Sequence, residues 1–345
     1  MDDGVGSRAP AAPVAIIGAG SWGTALAIHL GRAEHDVRLW ARDEGLVQDI
    51  VTRRRNPRYL TGAQLPDNVL ATSESSRALD GAQAVIVAVP SHVVRPVVRA
   101  VRPLLGAGTI VISAAKGLET DTLSRMSQVI ADETSGSLPV VVLSGPSFAE
   151  EVARGLPTAI LAASSDATAA AHIQECFRGP SFRLYASDDV AGVEIGGALK
   201  NVIAIAAGVV EGLGLGHNSM AALITRGLAE ISRLAGAEGG RRETLSGLSG
   251  LGDLVLTCTG DLSRNRHVGI ELGRGRTLED VLASLHMVAE GVRTTGAALA
   301  LGARHGIELP IAAEMSAVLE GRRSPREAVE ILMGRRQRPE ADHQH

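Results

Sequence analysis

The segment Val14-Ala-Ile-Ile-Gly18-Ala-Gly20-Ser-Trp-Gly23 decides the fold, because a short apolar run leads into a Gly-x-Gly-x-x-Gly motif and then into a helical pattern. A buried strand, a glycine turn and a helix, in that order, bind the pyrophosphate of a dinucleotide. We expect Gly18 to allow the tight turn, Gly20 to let the backbone approach the phosphates, and Gly23 to let the helix pack on the strand. Helix-start amides and the Ser21 hydroxyl would face the anion. The alternative is an ordinary tight turn.

Short apolar runs alternate with helical patterns through the first half of the chain. The expected strands are Val14–Ile17, Val37–Trp40, Ala84–Val89, Thr109–Ile112, Val140–Leu143, Thr158–Ala163 and Phe182–Ala186. The expected helices between them are Thr24–Arg32, Glu44–Arg54, Ser91–Leu105, Asp121–Asp132 and Ala167–Phe177. This alternation predicts a parallel sheet with helices on both faces.

The pattern changes near residues 188–192, after which only helical spacing is found. The expected helices are Val190–Glu211, Asn218–Ala235, Arg264–Leu272, Leu278–Ser284, Thr294–His305, Ile311–Leu319 and Pro325–Met333. The sequence therefore predicts an α/β Rossmann-like parallel-sheet N-terminal domain over residues 1–190 and an all-α C-terminal domain over residues 191–335. Residues 1–13 are expected to form a flexible leader, and residues 336–345 a flexible tail.

Composition excludes several classes of protein. The 345 residues carry a net charge of −4 and only seven aromatic side chains, so there is no basic excess and little to stack on nucleic acid bases. Cys176 and Cys258 are isolated, which argues against a disulfide scaffold, and no metal-ligand cluster is apparent. Apolar runs fall short of the roughly 20 residues of a membrane span, and the polar N-terminus does not resemble a secretory signal. We expect a cytoplasmic protein.

Two lysines stand out, because the other basic residues among 34 are all arginine. Lys116 follows a predicted strand, so it is expected at the carboxyl edge of the sheet. Lys200 lies in a helical row with Gly196, Ala204 and Gly208, a face on which another backbone or a cofactor can come close. A half-buried lysine with a lowered pKa is a suitable proton donor or acceptor near pH 7. The alternatives are chance retention of two lysines, or a lysine extending from a helix contact.

Three further segments suggest polar ligand binding. The Ser144-Gly145-Pro146-Ser147 segment follows another predicted strand and offers amides and a hydroxyl, although it also fits a plain turn. Ser263-Arg264-Asn265 at a helix start suits a phosphate, with simple capping by Ser263 as the alternative. Asp253 follows a glycine-rich turn, where it would orient Lys200 or accept a hydroxyl, or cap a helix.

The end of the second predicted strand bears on the choice of cofactor. An acidic residue there typically takes the adenosine ribose hydroxyls of NAD, and an arginine accommodates the 2′-phosphate of NADP. Arg42 occupies this region, so the sequence favours NADP(H) over NAD(H). Asp43 is adjacent and would restore the use of NAD, and a surface role for Arg42 is the other alternative.

Taken together, the motifs resemble those of bacterial NAD(P)-dependent glycerol-3-phosphate dehydrogenases. The matching segments are GAGSWGTALA (18–27), VPSH (89–92), AKGLE (115–119), SGPSFAEE (144–151), GLPTA (155–159), GGALKNVIAI (196–205), NSMAALITRGLAE (218–230), GLSGLGDLVLTCTGDLSRN (247–265) and VAEG (288–291). The resemblance implies interconversion of dihydroxyacetone phosphate and sn-glycerol 3-phosphate for glycerophospholipid synthesis, with NADPH or NADH as cofactor. Two features depart from it: Arg42 stands where relatives can carry His, and the Arg-rich segment 51–58 has no assigned role.

The resemblance also implies roles for individual residues. Lys200 matches the proposed acid/base of the family, and Lys116 is the second expected catalytic residue. The cofactor positions are Gly18, Gly20, Ser21, Trp22, Gly23, Arg42, Tyr59, Lys116, Ala149, Arg264, Val288 and Glu290. The substrate positions are Lys116, Gly145, Ser147, Lys200, Asp253, Ser263, Arg264 and Asn265.

Two other functions stay open at this stage. A β-hydroxyacid dehydrogenase also uses a helical lysine, but it places an Asn four residues beyond it, where this chain has Ala204. A redox sensor that binds NAD(P)H without turnover would not need two retained lysines or an anion site. The expected partner is a small phosphorylated triose, without nucleic acid or a membrane span, and a homodimer is possible.

Overall fold

The computed structural model describes residues 12–284 and 288–337, so residues 1–11 of the predicted leader and 338–345 of the predicted tail lie outside it. The strands are β1 (Val14–Ile17), β2 (Val37–Trp40), β3 (Arg55–Asn56), β4 (Leu60–Gln64), β5 (Val69–Thr72), β6 (Ala84–Val87), β7 (Ile110–Ser113), β8 (Val140–Ser144), β9 (Thr158–Ala163) and β10 (Phe182–Ser187). The first seven helices are α1 (Ser21–Arg32), α2 (Glu44–Arg53), α3 (Ser75–Leu79), α4 (Val94–Val101), α5 (Met126–Glu133), α6 (Ala149–Arg154) and α7 (Ala167–Cys176).

The rest of the described chain is helical. Its helices are α8 (Val190–Gly212), α9 (Gly216–Ala237), α10 (Arg242–Leu245), α11 (Asp253–Thr259), α12 (Arg264–Gly273), α13 (Leu278–Ser284), α14 (Glu290–Arg304), α15 (Pro310–Leu319) and α16 (Pro325–Met333). A π-helical turn, Leu248–Gly252, leads into α11. The predicted fold class, a Rossmann-like α/β region followed by helices, is confirmed.

Eight strands form the main sheet in the order β10-β9-β8-β7-β6-β1-β2-β5. In this order, every neighbouring pair of strands between β8 and β5 is parallel. Every residue of β1 and β6 is buried, as expected for strands covered on both faces. The carboxyl ends of these parallel strands meet at one edge of the sheet. The glycine turn and Lys116 both follow strands that end there.

The sheet departs from parallel pairing at one place, between β8 and β9. Strand β8 pairs with β9 in antiparallel register, and β9 and β10 are parallel to each other. A parallel neighbour requires a crossover that returns the chain to the starting edge, usually through a helix packed on the sheet. The short helix α6 instead packs against α1 beyond the strand ends, so β9 runs back in the opposite direction.

The predicted helix Asp121–Asp132 begins later, at Met126. The preceding residues form a turn in which Leu123 has a positive φ of 62°, which an α-helix does not accommodate. The side chain of Gln128 then caps the new helix start by accepting a hydrogen bond from the Arg125 amide at 2.9 Å. The sequence patterns also missed the short β3–β4 hairpin and the edge strand β5.

Helix α8 is the centre of the helical region, and its small residues allow close packing against α12. A Cβ atom at Gly208 would lie 2.0 Å from the carbonyl oxygen of Arg266, and one at Gly269 would lie 1.9 Å from that of Ile205. At its Gly208 end the predicted small-residue face is therefore filled by the backbone of α12. By length and composition α8 could cross a membrane, and all of its apolar stretch is buried inside the fold.

Candidate active site

The glycine turn joins β1 to α1 at the carboxyl edge of the sheet. Gly18 has a φ of +115°, and a Cβ atom there would lie 2.6 Å from the Ala88 carbonyl oxygen, so only glycine fits. A Cβ atom at Gly23 would lie 1.9 Å from the Gly18 carbonyl oxygen. A Cβ atom at Gly20 would meet no described atom within 4 Å. The turn is thus closed on its inner side and open on its outer side, where Ser21 and Trp22 begin α1 half-buried.

The β3–β4 hairpin is attached to this turn by Asn56, a residue that the sequence analysis missed. Asn56 is fully buried, and its Nδ2 donates to the Ala19 carbonyl oxygen at 2.9 Å and to Thr24 Oγ1 at 2.8 Å. Its Oδ1 accepts from the backbone amides of Arg58 at 3.2 Å and Tyr59 at 3.0 Å. This single side chain fixes the hairpin, and Tyr59 with it, next to the glycine turn.

Charged residues surround the end of β2. Arg42 is exposed, and its side chain forms no hydrogen bond or ion pair with the described part of the chain. Asp43 caps α2, because its Oδ1 accepts from the Leu46 amide at 3.0 Å, and its Oδ2 lies 2.5 Å from Arg58 Nη1. The cap hydrogen bond and then the Arg58 guanidinium lower the pKa of Asp43, so this carboxyl group is ionised at neutral pH.

Both lysines of the chain contact one carboxylate. Lys116 Nζ lies 2.7 Å from Asp253 Oδ2, and Lys200 Nζ lies 2.5 Å from Asp253 Oδ1. Asp253 is fully buried and Lys200 is 7% exposed. Lys200 also donates to Thr257 Oγ1 at 2.9 Å. Two cations and one anion therefore share a mostly buried centre at the junction of the sheet and the helices.

The electrostatics of Lys200 favour proton exchange near neutral pH. Burial lowers its pKa from 10.5 to about 8 because desolvation penalises the ammonium form. The Asp253 carboxylate opposes this shift, and the Lys116 ammonium adds to it. At pH 7 Lys200 is mostly protonated, yet it loses its proton far more readily than an ordinary lysine.

The segment after β8 supplies a carbonyl oxygen to the same centre. Lys116 Nζ donates to the Gly145 carbonyl oxygen at 3.0 Å, and Ser147 Oγ donates to the same oxygen at 2.9 Å. Ala149 begins α6 just beyond and packs against the sheet core. The predicted substrate positions Gly145 and Ser147 are thereby joined to Lys116.

The start of α12 approaches this centre from the helical side. Ser263 caps the helix by accepting from the Arg266 amide at 3.2 Å, and Arg264 Nη1 donates to the Val288 carbonyl oxygen at 2.8 Å. Burial lowers the pKa of Arg264, and the nearby Glu290 carboxylate opposes this shift. Asn265, the next residue, is buried.

The Asn265 side chain links three helices. Its Nδ2 donates to Asn201 Oδ1 at 2.9 Å, and its Oδ1 accepts from the Gly291 amide at 2.9 Å. Asn201 is adjacent to Lys200 on α8, so this amide pair fixes the start of α12 relative to the buried lysine. Asn201 was not among the predicted site residues.

Glu290 connects the helical region to the sheet. Its carboxylate accepts from the Ser91 amide at 3.0 Å and from Ser91 Oγ at 2.6 Å, just beyond β6. Ser91 is the first residue of the predicted helix Ser91–Leu105, and its hydroxyl donates to Glu290. The predicted cofactor position Glu290 is therefore at the carboxyl edge of the sheet, with Val288 and Arg264 beside it.

The structure divides the predicted residues into two groups along this edge. One group, centred on Asp253, joins the two lysines to the Gly145 segment, and the other lies around the glycine turn with Arg42 and Tyr59. Thr257 was missed because helix α11 was not predicted. Thr257 lies four residues after Asp253, so on a helix the two side chains share one face, and this spacing is the signal that could have identified it. A cavity of about 750 Å³ opens elsewhere, near Gln83 at the amino edge of the sheet, away from both groups.

Two family profiles match this chain. The N-terminal profile of NAD-dependent glycerol-3-phosphate dehydrogenase matches residues 13–170, and the C-terminal profile of the same family matches residues 189–330. Together they cover most of the chain, including both lysines.

Individual proteins agree with the profiles. The glycerol-3-phosphate dehydrogenase [NAD(P)+] of Koribacter versatilis is 54% identical over 326 residues, covering 93% of this chain and 97% of that protein. The crystal structure of glycerol-3-phosphate dehydrogenase from Coxiella burnetii is 41% identical and has a TM-score of 0.91, covering 94% of this chain and 99% of that one. The yeast enzyme is 26% identical with a TM-score of 0.79, covering 94% and 99%.

Proposed function

The chain belongs to the NAD-dependent glycerol-3-phosphate dehydrogenase family, and from this premise we propose that Lys200 is the proton donor and acceptor of its reaction. The protein is an NAD(P)-dependent oxidoreductase that interconverts dihydroxyacetone phosphate and sn-glycerol 3-phosphate. The observation that carries the proposal is the buried Asp253 carboxylate that holds the ammonium groups of both Lys116 and Lys200. Family membership sets aside the β-hydroxyacid dehydrogenase and the non-catalytic sensor.

The glycine turn is suited to the pyrophosphate of NAD(P)(H). The open space in front of Gly20 supports this assignment, because backbone amides at the start of α1 face it without an intervening side chain. Ser21, Trp22, Tyr59, Ala149, Val288 and Glu290 are proposed to complete the binding cleft. The bound reduced nicotinamide supplies the hydride that reaches C2 of the substrate.

Lys200 is proposed to act at the C2 oxygen. Its ammonium group stabilises the negative charge that develops there and gives up one proton to form the C2 hydroxyl; in the reverse direction the neutral amine accepts that proton. Thr257 and Asp253 hold the ammonium group in one orientation. Lys116 adds positive charge and, with Gly145 and Ser147, orients the substrate.

The substrate phosphate is proposed to bind at the start of α12. Amides at a helix N-terminus attract anions, and Arg264 adds a partly buried guanidinium. Ser263 and Asn265 already have protein partners, so their contribution is to fix the shape of this site as well as to contact phosphate oxygens.

Substitution of each lysine tests the proposal. Lys200→Met removes the proton donor, so kcat for reduction of dihydroxyacetone phosphate should fall by about 10²–10⁴-fold, whereas the Kd of NADPH, measured by fluorescence titration, stays unchanged. Lys116→Met should raise KM for the substrate as well as lower kcat, because Lys116 is proposed to contact the substrate already in the ground-state complex. A near-normal kcat for Lys200→Met would remove Lys200 from the mechanism.

We also propose the wider setting of the enzyme. It is cytoplasmic, it divides into domains near residue 190, and it supplies sn-glycerol 3-phosphate for glycerophospholipid synthesis without binding nucleic acid. A homodimer stays a prediction, and any interface must use a surface other than the small-residue row of α8, which packs against α12. Light scattering on the purified protein measures the oligomeric state.

A further inference from the structure

We propose that Arg58 determines cofactor preference, because it neutralises Asp43 and joins Arg42 in a positive subsite for the 2′-phosphate of NADP(H). The proposal rests on the proposed function in one respect only, namely that a dinucleotide lies on the glycine turn. It also assigns a role to the Arg-rich segment 51–58, which sequence reasoning could not explain.

The position of Arg58 follows from the way the hairpin is attached. Asn56 binds the Ala19 carbonyl oxygen within the glycine turn, and its other side-chain atom holds the Arg58 amide. Arg58 is therefore two residues from a buried anchor on the pyrophosphate turn. From there its guanidinium reaches Asp43, at the end of β2 where the adenosine ribose lies in Rossmann folds.

The contacts of Asp43 weaken it as an NAD-selecting acid. A carboxylate that selects NAD must accept hydrogen bonds from the ribose hydroxyls. Here one oxygen of Asp43 caps α2 through the Leu46 amide, and the other is paired with Arg58 at 2.5 Å. Each oxygen thus already accepts one hydrogen bond, and the Arg58 guanidinium balances the negative charge that would repel a 2′-phosphate.

The cations at this corner are still available to a ligand. Arg42 is exposed and has no side-chain partner among the described residues. Arg58 is half-exposed, and a guanidinium has five N–H donors, of which the contact with Asp43 uses one. The two arginines and Asp43 sum to one positive charge, and planar guanidinium groups match phosphate oxygens well.

Arg53 and Arg54 do not compete for this role. Arg53 pairs with Asp49 on its own helix at 3.2 Å, and Arg54 donates to backbone carbonyls, including that of Val69 at 3.0 Å. Both are directed to other parts of the fold. Arg53 is therefore a suitable control, since it is an exposed arginine of the same segment with an acidic partner of its own.

Ligand binding without turnover gives the most direct test. The affinities of adenosine 2′,5′-bisphosphate and of adenosine 5′-monophosphate, measured by calorimetry, isolate the contribution of the 2′-phosphate. We expect Arg58→Gln to weaken the bisphosphate about tenfold or more relative to the monophosphate, because it removes a charged donor and leaves Asp43 unbalanced. Arg53→Gln should leave the ratio unchanged. An equal loss for both nucleotides, or no loss, overturns the proposal.

A double substitution separates the two effects of Arg58. Asn caps helices as well as Asp, so Asp43→Asn keeps the α2 cap and removes the charge. In the Arg58→Gln background it should restore part of the lost bisphosphate affinity. Restoration of none would contradict the neutralising role.

Steady-state kinetics complete the test. The kcat/KM ratio of NADPH to NADH should fall in Arg58→Gln in parallel with the binding ratio. An unchanged ratio with normal turnover would refute this inference and leave the roles of the lysines untouched. Loss of turnover in Lys200→Met bears only on the proposed function.

Discussion

At the scale of single residues, the main feature is one carboxylate shared by two ammonium groups. Asp253 is fully buried, so its charge is stable there only because Lys116 and Lys200 each contact one of its oxygens. The three groups carry one net positive charge, which complements a substrate oxygen that becomes negative during reduction. Because Lys200 is the more deeply buried lysine, burial acts most strongly on its proton affinity.

The pH dependence of the two reaction directions follows from the lowered pKa of Lys200. Reduction requires the protonated form, so kcat for reduction should fall as pH rises above about 8. Oxidation requires the neutral amine, so kcat for oxidation should rise toward the same pH and level off above it. Saturating kinetics in both directions between pH 6 and pH 10 measure both curves.

The control for this prediction is Asp253→Asn. Its carboxylate raises the pKa of Lys200, so its removal should move both curves to lower pH, in addition to lowering kcat. Curves that stay in place, or move to higher pH, would show that another group is titrating.

At the scale of secondary-structure elements, the packing of α8 on α12 sets the distance between the proton donor and the phosphate site. Lys200 lies on α8, and Ser263 and Arg264 stand at the start of α12. Gly208 and Gly269 bring the two backbones into contact, and the Asn201–Asn265 amide pair fixes their relative position along the axes. A small separation of these helices would therefore displace two parts of the site at once.

A methyl group inserted between the two helices tests this argument. Gly208→Ala places a Cβ atom 2.0 Å from the Arg266 carbonyl oxygen, so the helices must move apart. We expect a loss of about 1–3 kcal/mol or more in the free energy of unfolding and a raised KM for dihydroxyacetone phosphate. Urea denaturation and steady-state kinetics measure the two effects.

The matched control is Gly236→Ala in helix α9. A Cβ atom there meets no described atom within 4 Å, so the substitution should stabilise the protein by about 0.5–1 kcal/mol through helix propensity. If Gly208→Ala were as well tolerated as this control, the close packing of α8 and α12 would not be required.

The elements also show which features local sequence patterns could predict. Most strands and long helices were located within a few residues, because continuous apolar runs and helical spacing directly reflect burial. The reversal at β9 depends on where α6 packs, and the β3–β4 hairpin depends on the buried contacts of Asn56, neither of which is a periodic signal. Likewise, the two lysines were identified from composition, but their shared contact with Asp253 joins residues 137 positions apart.

At the scale of the whole molecule, the site is assembled from the sheet region and the helical region together. Lys116 and Gly145 follow strands, whereas Asp253 and Lys200 lie on helices. Besides the lysine cluster, Glu290 contacts Ser91 across the same boundary. Catalytic geometry therefore depends on contacts that keep the two regions in one relative position.

A buried ion pair provides another such contact. Glu194 on α8 accepts from Arg125 Nη1 at 2.8 Å and from the Ser127 amide at 2.8 Å, at the start of α5. The Glu194 side chain is 4% exposed and that of Arg125 is 13% exposed, so removal of Glu194 leaves Arg125 in the interior with only the longer 3.8 Å contact to Glu238. This pair fixes the first turns of α8, the helix that carries Lys200.

The final prediction compares Glu194→Ala with Glu211→Ala on the same helix. Glu194→Ala should lower the free energy of unfolding by about 3–5 kcal/mol, because it removes both the nearer acidic partner of Arg125 and the buried acceptor of the Ser127 amide. Glu211 also pairs with an arginine, Arg266, at 2.6 Å, but its side chain is 42% exposed and Arg266 keeps Asp261 at 3.0 Å, so its loss should cost less than about 1 kcal/mol. Similar costs for the two variants would contradict the assigned role of burial.

The same pair of variants tests whether this contact couples the two regions. Both tryptophans of the chain, Trp22 and Trp40, lie in the sheet region, so fluorescence follows that region, whereas circular dichroism is dominated by the helices. In Glu194→Ala the two urea transitions should separate, while in the unmodified protein and in Glu211→Ala they should coincide. Coincident transitions in Glu194→Ala would mean that Lys116–Asp253 and Ser91–Glu290 are enough to couple the regions.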